Sequence, residues 1–232
     1  NSTNVNLDKF VKLHHTLSFL IIKNDTIIYE YYKNPEIENS TVSSFSLVKP
    51  IVSTLIGIAI DEGKIESVED PITKYLPEYR DVEGWDKIKI RHLLHHTSGL
   101  KFSDGKFNLG SDNAKYYWGK TLRNNLIHAS IEMKPDTKFH YSSLNTQLLG
   151  RILEEVTHGS ISSYLQEKIW IPLEMEAPAY WSLDNSKDEA MEKVFCCLQA
   201  RTIDFAKIGR LYLNNGNWNG DKSGIVANFN HS

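Results

Sequence analysis

Three places in the chain set a lysine three residues after a serine: Ser46/Lys49, Ser98/Lys101 and Ser103/Lys106. A serine hydroxyl attacks a carbonyl only once a base takes its proton, and a lysine is such a base only if its pKa falls. Chance produces Ser-x-x-Lys often, so the surroundings must discriminate. The second and third pairs sit around Gly99, Asp104 and Gly105, in what reads as loop. The first opens residues 46–62, where Val48, Ile51, Val52, Leu55, Ile56 and Ile58 leave almost no polar side. A helix apolar all round is a buried one. Residues three apart on it share a face, so the Lys49 amine can approach the Ser46 hydroxyl. Burial and the positive helix end both lower a lysine pKa. The helix start also offers backbone N–H groups without intrahelical partners, so the Ser46 N–H is a candidate oxyanion donor. One such donor is worth about 100- to 1000-fold in rate. The plainer alternative is a serine N-cap followed by a solvated lysine, which the buried character of the helix disfavours. Pro50 fits only if the helix starts close to Ser46, where its missing N–H is harmless.

The elements that must position this pair follow from periodicity. Residues 17–23 and 27–32 are β-branched and aromatic around Asn24-Asp25, which predicts an antiparallel hairpin over 17–32. Residues 33–45 read as loop. Gly63 ends the buried helix, and Val68-Glu69-Asp70-Pro71 reads as a helix start stopped by Pro77. Residues 88–96 and 121–132 read as helical, and 101–120 as a long loop. Leu144, Leu148, Leu149, Ile152, Leu153 and Val156 recur at three- and four-residue spacing, an amphipathic helix ending near Gly159. A shorter helix around Tyr164 to Trp170 stops at Pro172. A last helix spans 201–213, with Thr202 as N-cap. Strands first and helices after suggest an α+β fold, an antiparallel sheet with an inserted helical lobe. Two strands alone are marginal, so the rest of the sheet is expected beyond residue 232, the chain being cut short at its C-terminus.

Other residues invite chemistry and receive plainer readings. Tyr141 is one of 11 tyrosines, but it stands between the Pro135-Asp136 turn and a helix, a rigid support for a cleft residue. His92, His95 and His96 suggest a metal, yet Leu93 and Leu94 occupy the places where a zinc protease helix carries its Glu. Packing and hydrogen bonding is the preferred role. Tyr116, Tyr117 and Trp118 either line a substrate pocket or form a small core of their own. Cys196 and Cys197 are adjacent, a spacing that disfavours a disulfide, and two cysteines do not make a zinc site.

Composition bounds the class. At 41% hydrophobic and 11% aromatic residues the chain can bury a core, which argues against disorder. A net charge of -3 without a basic stripe argues against a nucleic-acid partner. No apolar run is long enough for a transmembrane span. A start at Asn1, without an initiator Met or signal peptide, fits a mature exported form or an engineered one.

Longer stretches then carry a family likeness. Ser46-Leu47-Val48-Lys49 with Leu55 to Ile65, Asp70-Pro71 with Tyr75-Leu76-Pro77, Ile90 to Leu100 (an HLLxHTSGL stretch) and Phe139 to Thr146 resemble the serine β-lactamase-like and penicillin-binding-protein-like family. The branch is that of class C β-lactamases, family VIII-type esterases and nylon-oligomer hydrolases. The likeness runs from about residue 17 to 220 and implies one β-lactamase/transpeptidase-like domain over 1–232. It implies Ser46 as acylated nucleophile, Lys49 as base and Tyr141 as proton carrier to the leaving group. Ser143 stands where some members carry a substrate-holding Asn, which puts a β-lactam substrate in doubt, and Trp118 joins it as a candidate substrate contact. No cofactor is implied. Substrates would be small esters, linear amides, D-amino-acid peptides or β-lactams, handled outside the cytoplasm. The family's third motif, Lys-Thr-Gly or His-x-Gly on a later strand, is imitated only by Lys222-Ser223-Gly224 in a polar stretch. The true motif is therefore expected beyond residue 232, and the chain as it stands is expected to be inactive or badly impaired. The rival readings are a silent relative that binds peptidoglycan fragments or a partner protein, and a zinc hydrolase using the histidines.

Overall fold

A computed structural model of the chain describes residues 6–103 and 110–219. Helix α1 (Leu7–Leu13), capped by the Asn6 side chain, leads into β1 (Ser18–Lys23). Asn24 and Asp25 both take left-handed backbone (φ 50° and 58°) and turn the chain into β2 (Thr26–Tyr32), antiparallel to β1. Two consecutive left-handed residues match the right-handed strand twist, so the hairpin forms where the sequence signalled it. The stretch read as loop holds short α2 (Pro35–Glu38) and β3 (Val42–Ser43). Neither is long enough to show a period.

A 3-10 turn, Phe45–Leu47, runs straight into α3 (Val48–Asp61). Pro50 falls in its first turn, where the missing N–H breaks no ladder bond. Val48, Val52, Leu55 and Ala59 have no solvent exposure, and Gly63 (φ 70°) ends the helix. The helix expected after Pro71 is two 3-10 turns, Ile72–Lys74 and Pro77–Tyr79, so Pro77 begins a turn instead of ending a helix. Then come α4 (Ile90–Leu94), α5 (Asp112–Trp118) and α6 (Leu122–Ile127). Helix α5 corrects the loop reading of 101–120, because the Ser111 side chain caps it by accepting the Ala114 N–H.

Helix α7 (Ser143–Thr157) lies where the apolar spacing put it and packs on α3 and α4. Gly150 lets the segment around Val194 approach α7 closely: a Cβ there would stand 2.4 Å from Val194 Cγ2. Helix α8 (Ile161–Leu165) passes through a π-turn, Gln166–Trp170, before Pro172. Strands β4 (Tyr180–Trp181) and β5 (Leu198–Ala200) join β3 in a small antiparallel sheet of order β3-β5-β4. Helix α9 (Thr202–Leu213) closes the described chain against β1. Its N-cap is Arg201, not Thr202, whose hydroxyl instead meets Ser18 Oγ at 2.6 Å.

One expectation about the cysteines is overturned. Cys196 and Cys197 form a disulfide between neighbours. Cys197 has left-handed backbone (φ 69°), not the ordinary backbone on which the expectation rested.

Candidate active site

Ser46 is seated by the small sheet. Val42 and Ser43 pair with Ala200 and Gln199, and the Ser44 N–H donates to the Leu198 carbonyl at 2.8 Å. The next residue, Phe45, is left-handed (φ 44°) with an exposed ring. That conformation costs a non-glycine residue about 1–2 kcal/mol, so the flanking strand and helix must impose it. It swings the chain into the turn that presents Ser46, half-buried, ahead of α3.

Lys49 lies one turn further on and is buried. Its Nζ donates to Ser46 Oγ at 3.1 Å and to the Phe195 carbonyl at 2.7 Å. The same nitrogen stands 5.1 Å from the Tyr141 ring centroid and 6.0 Å from that of Phe195. Deprotonated, the amine could keep its N–H bond to Phe195 and turn its lone pair to the Ser46 hydroxyl. The Phe195 segment is pinned by Gln147, fully buried on α7, which donates to the Glu192 carbonyl and accepts the Val194 N–H.

Tyr141 comes from the segment between α6 and α7 and is 41% exposed. The turn before it is fastened to α4: the Asp136 carboxylate accepts from Thr97 Oγ1 (2.8 Å) and pairs with Arg91 (2.8 Å) and His92 (3.1 Å). The Thr97 hydroxyl and the Arg91 guanidinium hold that carboxyl at about 2. His96 stands beside Tyr141, ring centroids 4.8 Å apart. Burial, then the charge of Lys49 and that of His140, pushes His96 down to about 4.

Ser46, Lys49, Tyr141 and His96 border one cavity of about 510 Å³, walled by Leu93, Leu94 and Leu149. A separate cavity of about 360 Å³, beside Trp170 and Trp181, has no lysine, histidine or cysteine in its lining. The three predicted catalytic residues thus converge. The two predicted substrate contacts do not join them: Ser143 is buried at the start of α7 and Trp118 is 65% exposed at the end of α5, both outside the cavity lining. Of the three aromatics at 116–118, Tyr116 is core, packed edge-on to Phe102 and Phe195. Tyr117 is nearer the site: burial and the neighbouring Tyr141 raise its phenol.

The other Ser-x-x-Lys matches separate as well. Ser98 is buried and donates to Asn145, and Lys106 and Lys222-Ser223-Gly224 lie outside the described residues. The histidines do not converge on one point. His92 binds Asp136 and the Lys89 N–H, His95 is exposed and His96 faces Tyr141. Sequence reasoning missed the Phe195 carbonyl and His96. The first carries no side-chain signal, whereas His96 stood in the HLLxHTSGL stretch.

The family model described as Beta-lactamase matches residues 7–191. The chain belongs to that family. Among curated relatives, a candidate D-alanyl-D-alanine carboxypeptidase of Escherichia coli (strain K12) is 28% identical over 180 residues, 68% of this chain and 41% of that protein. Among solved structures, a candidate 6-aminohexanoate-dimer hydrolase from Bacillus anthracis superposes with a TM-score of 0.84 at 23% identity, over 95% of this chain and 60% of that one. A class C β-lactamase superposes with a TM-score of 0.68 at 19% identity, over 95% of this chain and 66% of that one. These likenesses establish the β-lactamase/transpeptidase-like fold. The chain spans well under half the length of the curated relatives it matches, 41% for the Escherichia coli protein.

Proposed function

We propose that this protein is a serine hydrolase that works through an acyl-enzyme on Ser46. The observation that carries the reading is the 3.1 Å contact between Lys49 Nζ and Ser46 Oγ at the wall of an open cavity, with the Tyr141 ring beside the amine. Deprotonated Lys49 takes the Ser46 proton as Oγ attacks the carbonyl carbon, and the carbonyl π pair becomes an oxyanion. The Ser46 N–H is the donor we assign to that oxyanion. Tyr141 hands a proton to the departing amine or alkoxide, regains it from Lys49, and leaves Ser46 as an ester. Water then adds to the ester carbonyl as the free Lys49 amine takes its proton, and the tetrahedral intermediate collapses by breaking the C–Oγ bond, the proton returning to Ser46 Oγ as the acid departs.

The substrate class is a linear amide or ester. The relatives named for D-alanyl-D-alanine carboxypeptidase and 6-aminohexanoate-dimer hydrolase chemistry both cleave unstrained amides by name, which supports it. An extracytoplasmic site of action is the family's usual one and belongs to the same proposal. Among the described residues no helix is long and apolar enough to cross a membrane. The test is turnover of a chromogenic ester and of a D-alanyl-D-alanine peptide by wild type and Ser46→Ala, with and without chelator, in long incubations at high protein concentration that read the low rate expected of this chain. Loss in Ser46→Ala and indifference to chelator are expected. Activity that survives Ser46→Ala, or that chelation removes, would refute the reading.

A further inference from the structure

One residue grips Tyr141 on both sides. The His96 carbonyl accepts the N–H of His140 at 2.8 Å, and His96 Nδ1 accepts the N–H of Ser142 at 3.2 Å. The imidazole also lies against the Tyr141 ring, tilted 37° to it. His96 is held from behind in turn. Its Nδ1 faces Asn145 Nδ2 at 3.3 Å, and Asn145 Oδ1 accepts from Ser98 Oγ at 2.7 Å. Asn145, Ser98 and Ser142 are all buried. A nitrogen that accepts N–H groups keeps its lone pair, so this network assigns the ring proton to Nε2. The His96 backbone is left-handed (φ 57°), a conformation that persists only where the surroundings determine it.

We propose that His96 is the positioning residue of Tyr141: its carbonyl and its Nδ1 lone pair, acting on the backbone just before and just after Tyr141, set where the phenol stands relative to Lys49 and Ser46. The inference rests on the proposed role of Tyr141 as proton carrier. Reactive geometry of this kind depends on the residues that lock it, and a displacement of about 1 Å costs about 100-fold in rate.

Asparagine and glutamine at position 96 separate this role from a merely structural one. Asparagine tolerates left-handed backbone and carries an acceptor oxygen where His96 carries Nδ1, whereas glutamine carries it one bond farther out. On a chromogenic ester, His96→Asn should keep kcat close to wild type. His96→Gln should lower kcat about 100-fold with KM little changed. Melting temperatures are recorded for both, and Tyr141→Phe is measured beside them. Full activity in Tyr141→Phe overturns the role of Tyr141 and this inference with it. An inactive Tyr141→Phe, with equal kcat in wild type and both His96 variants, overturns the positioning role alone. Should His96→Gln not fold, a folded His96→Asn still decides, because a loss there as large as in Tyr141→Phe contradicts the proposal.

Discussion

Replacing Lys49 by methionine separates catalysis from stability. Lys49 is 9% exposed, and its amine holds Ser46 Oγ and the Phe195 carbonyl. Methionine fills a similar volume without charge or donor. The two lost amine bonds are worth about 0.5–1.5 kcal/mol each, and an unpaired Phe195 carbonyl adds about 1–3 kcal/mol. Against this, the variant no longer buries a polar amine, whose desolvation costs about 1–3 kcal/mol. The terms oppose and are of similar size, so the net change should lie within about 2 kcal/mol. For a chain of this length that is a shift in Tm of no more than about 8 °C. Activity should behave differently, because loss of the base that takes the Ser46 proton costs about 10²–10⁴-fold in kcat. Initial rates on a chromogenic ester, with calorimetric melting of the same samples, measure both quantities. A Lys49→Met protein that keeps its rate would refute the role of the amine. One that is unfolded at 25 °C would refute the balance of energies.

Two further outcomes follow from packing and from titration. Gly150→Ala would drive a Cβ to 2.4 Å from Val194 Cγ2, a buried branched side chain with little room to yield. Overpacking of that kind costs about 1–3 kcal/mol, so Tm should fall clearly, and an unchanged Tm would show that α7 does not pack this closely. Burial holds His96 at about 4, below its ordinary 6.5, and lowers His92 too. A base depressed in the folded state protonates first in the unfolded chain, so its stability is fully present above about pH 6.5 and is lost as pH falls toward 4. Asp136, held at about 2 against an ordinary 3.8, has its effect below that window. Tm should be flat from pH 8 to about 6.5 and then decline, less steeply in His96→Asn. A flat profile down to pH 4 would contradict the burial of these rings.

Much of this arrangement was legible because its parts are local. The Ser46–Lys49 pairing needs only a helical turn, and the apolar run after it marks that turn as buried. Asn24-Asp25 marked the hairpin, and the spacing from Leu144 to Val156 marked α7. What escaped was non-local or too short for a period. The Phe195 carbonyl reaches Lys49 across 146 positions, and every residue owns a carbonyl. Strands β3, β4 and β5 have two or three residues each. Helix α5 did announce itself through Ser111-Asp112, a cap followed by an acid, but the surrounding Gly and Asn hid it. The disulfide reading failed because it assumed ordinary backbone where Cys197 is left-handed. The likeness of flanking segments, not periodicity, brought Tyr141 to the site, and the structure sets its ring beside the Lys49 amine.

The most direct test is to expose the protein to a fluorophosphonate, measure its intact mass and map the modified peptide. A single adduct on Ser46 is expected, absent in Ser46→Ala and formed far more slowly in Lys49→Met. An unmodified Ser46 in folded protein, or an adduct on Ser98 instead, would contradict it.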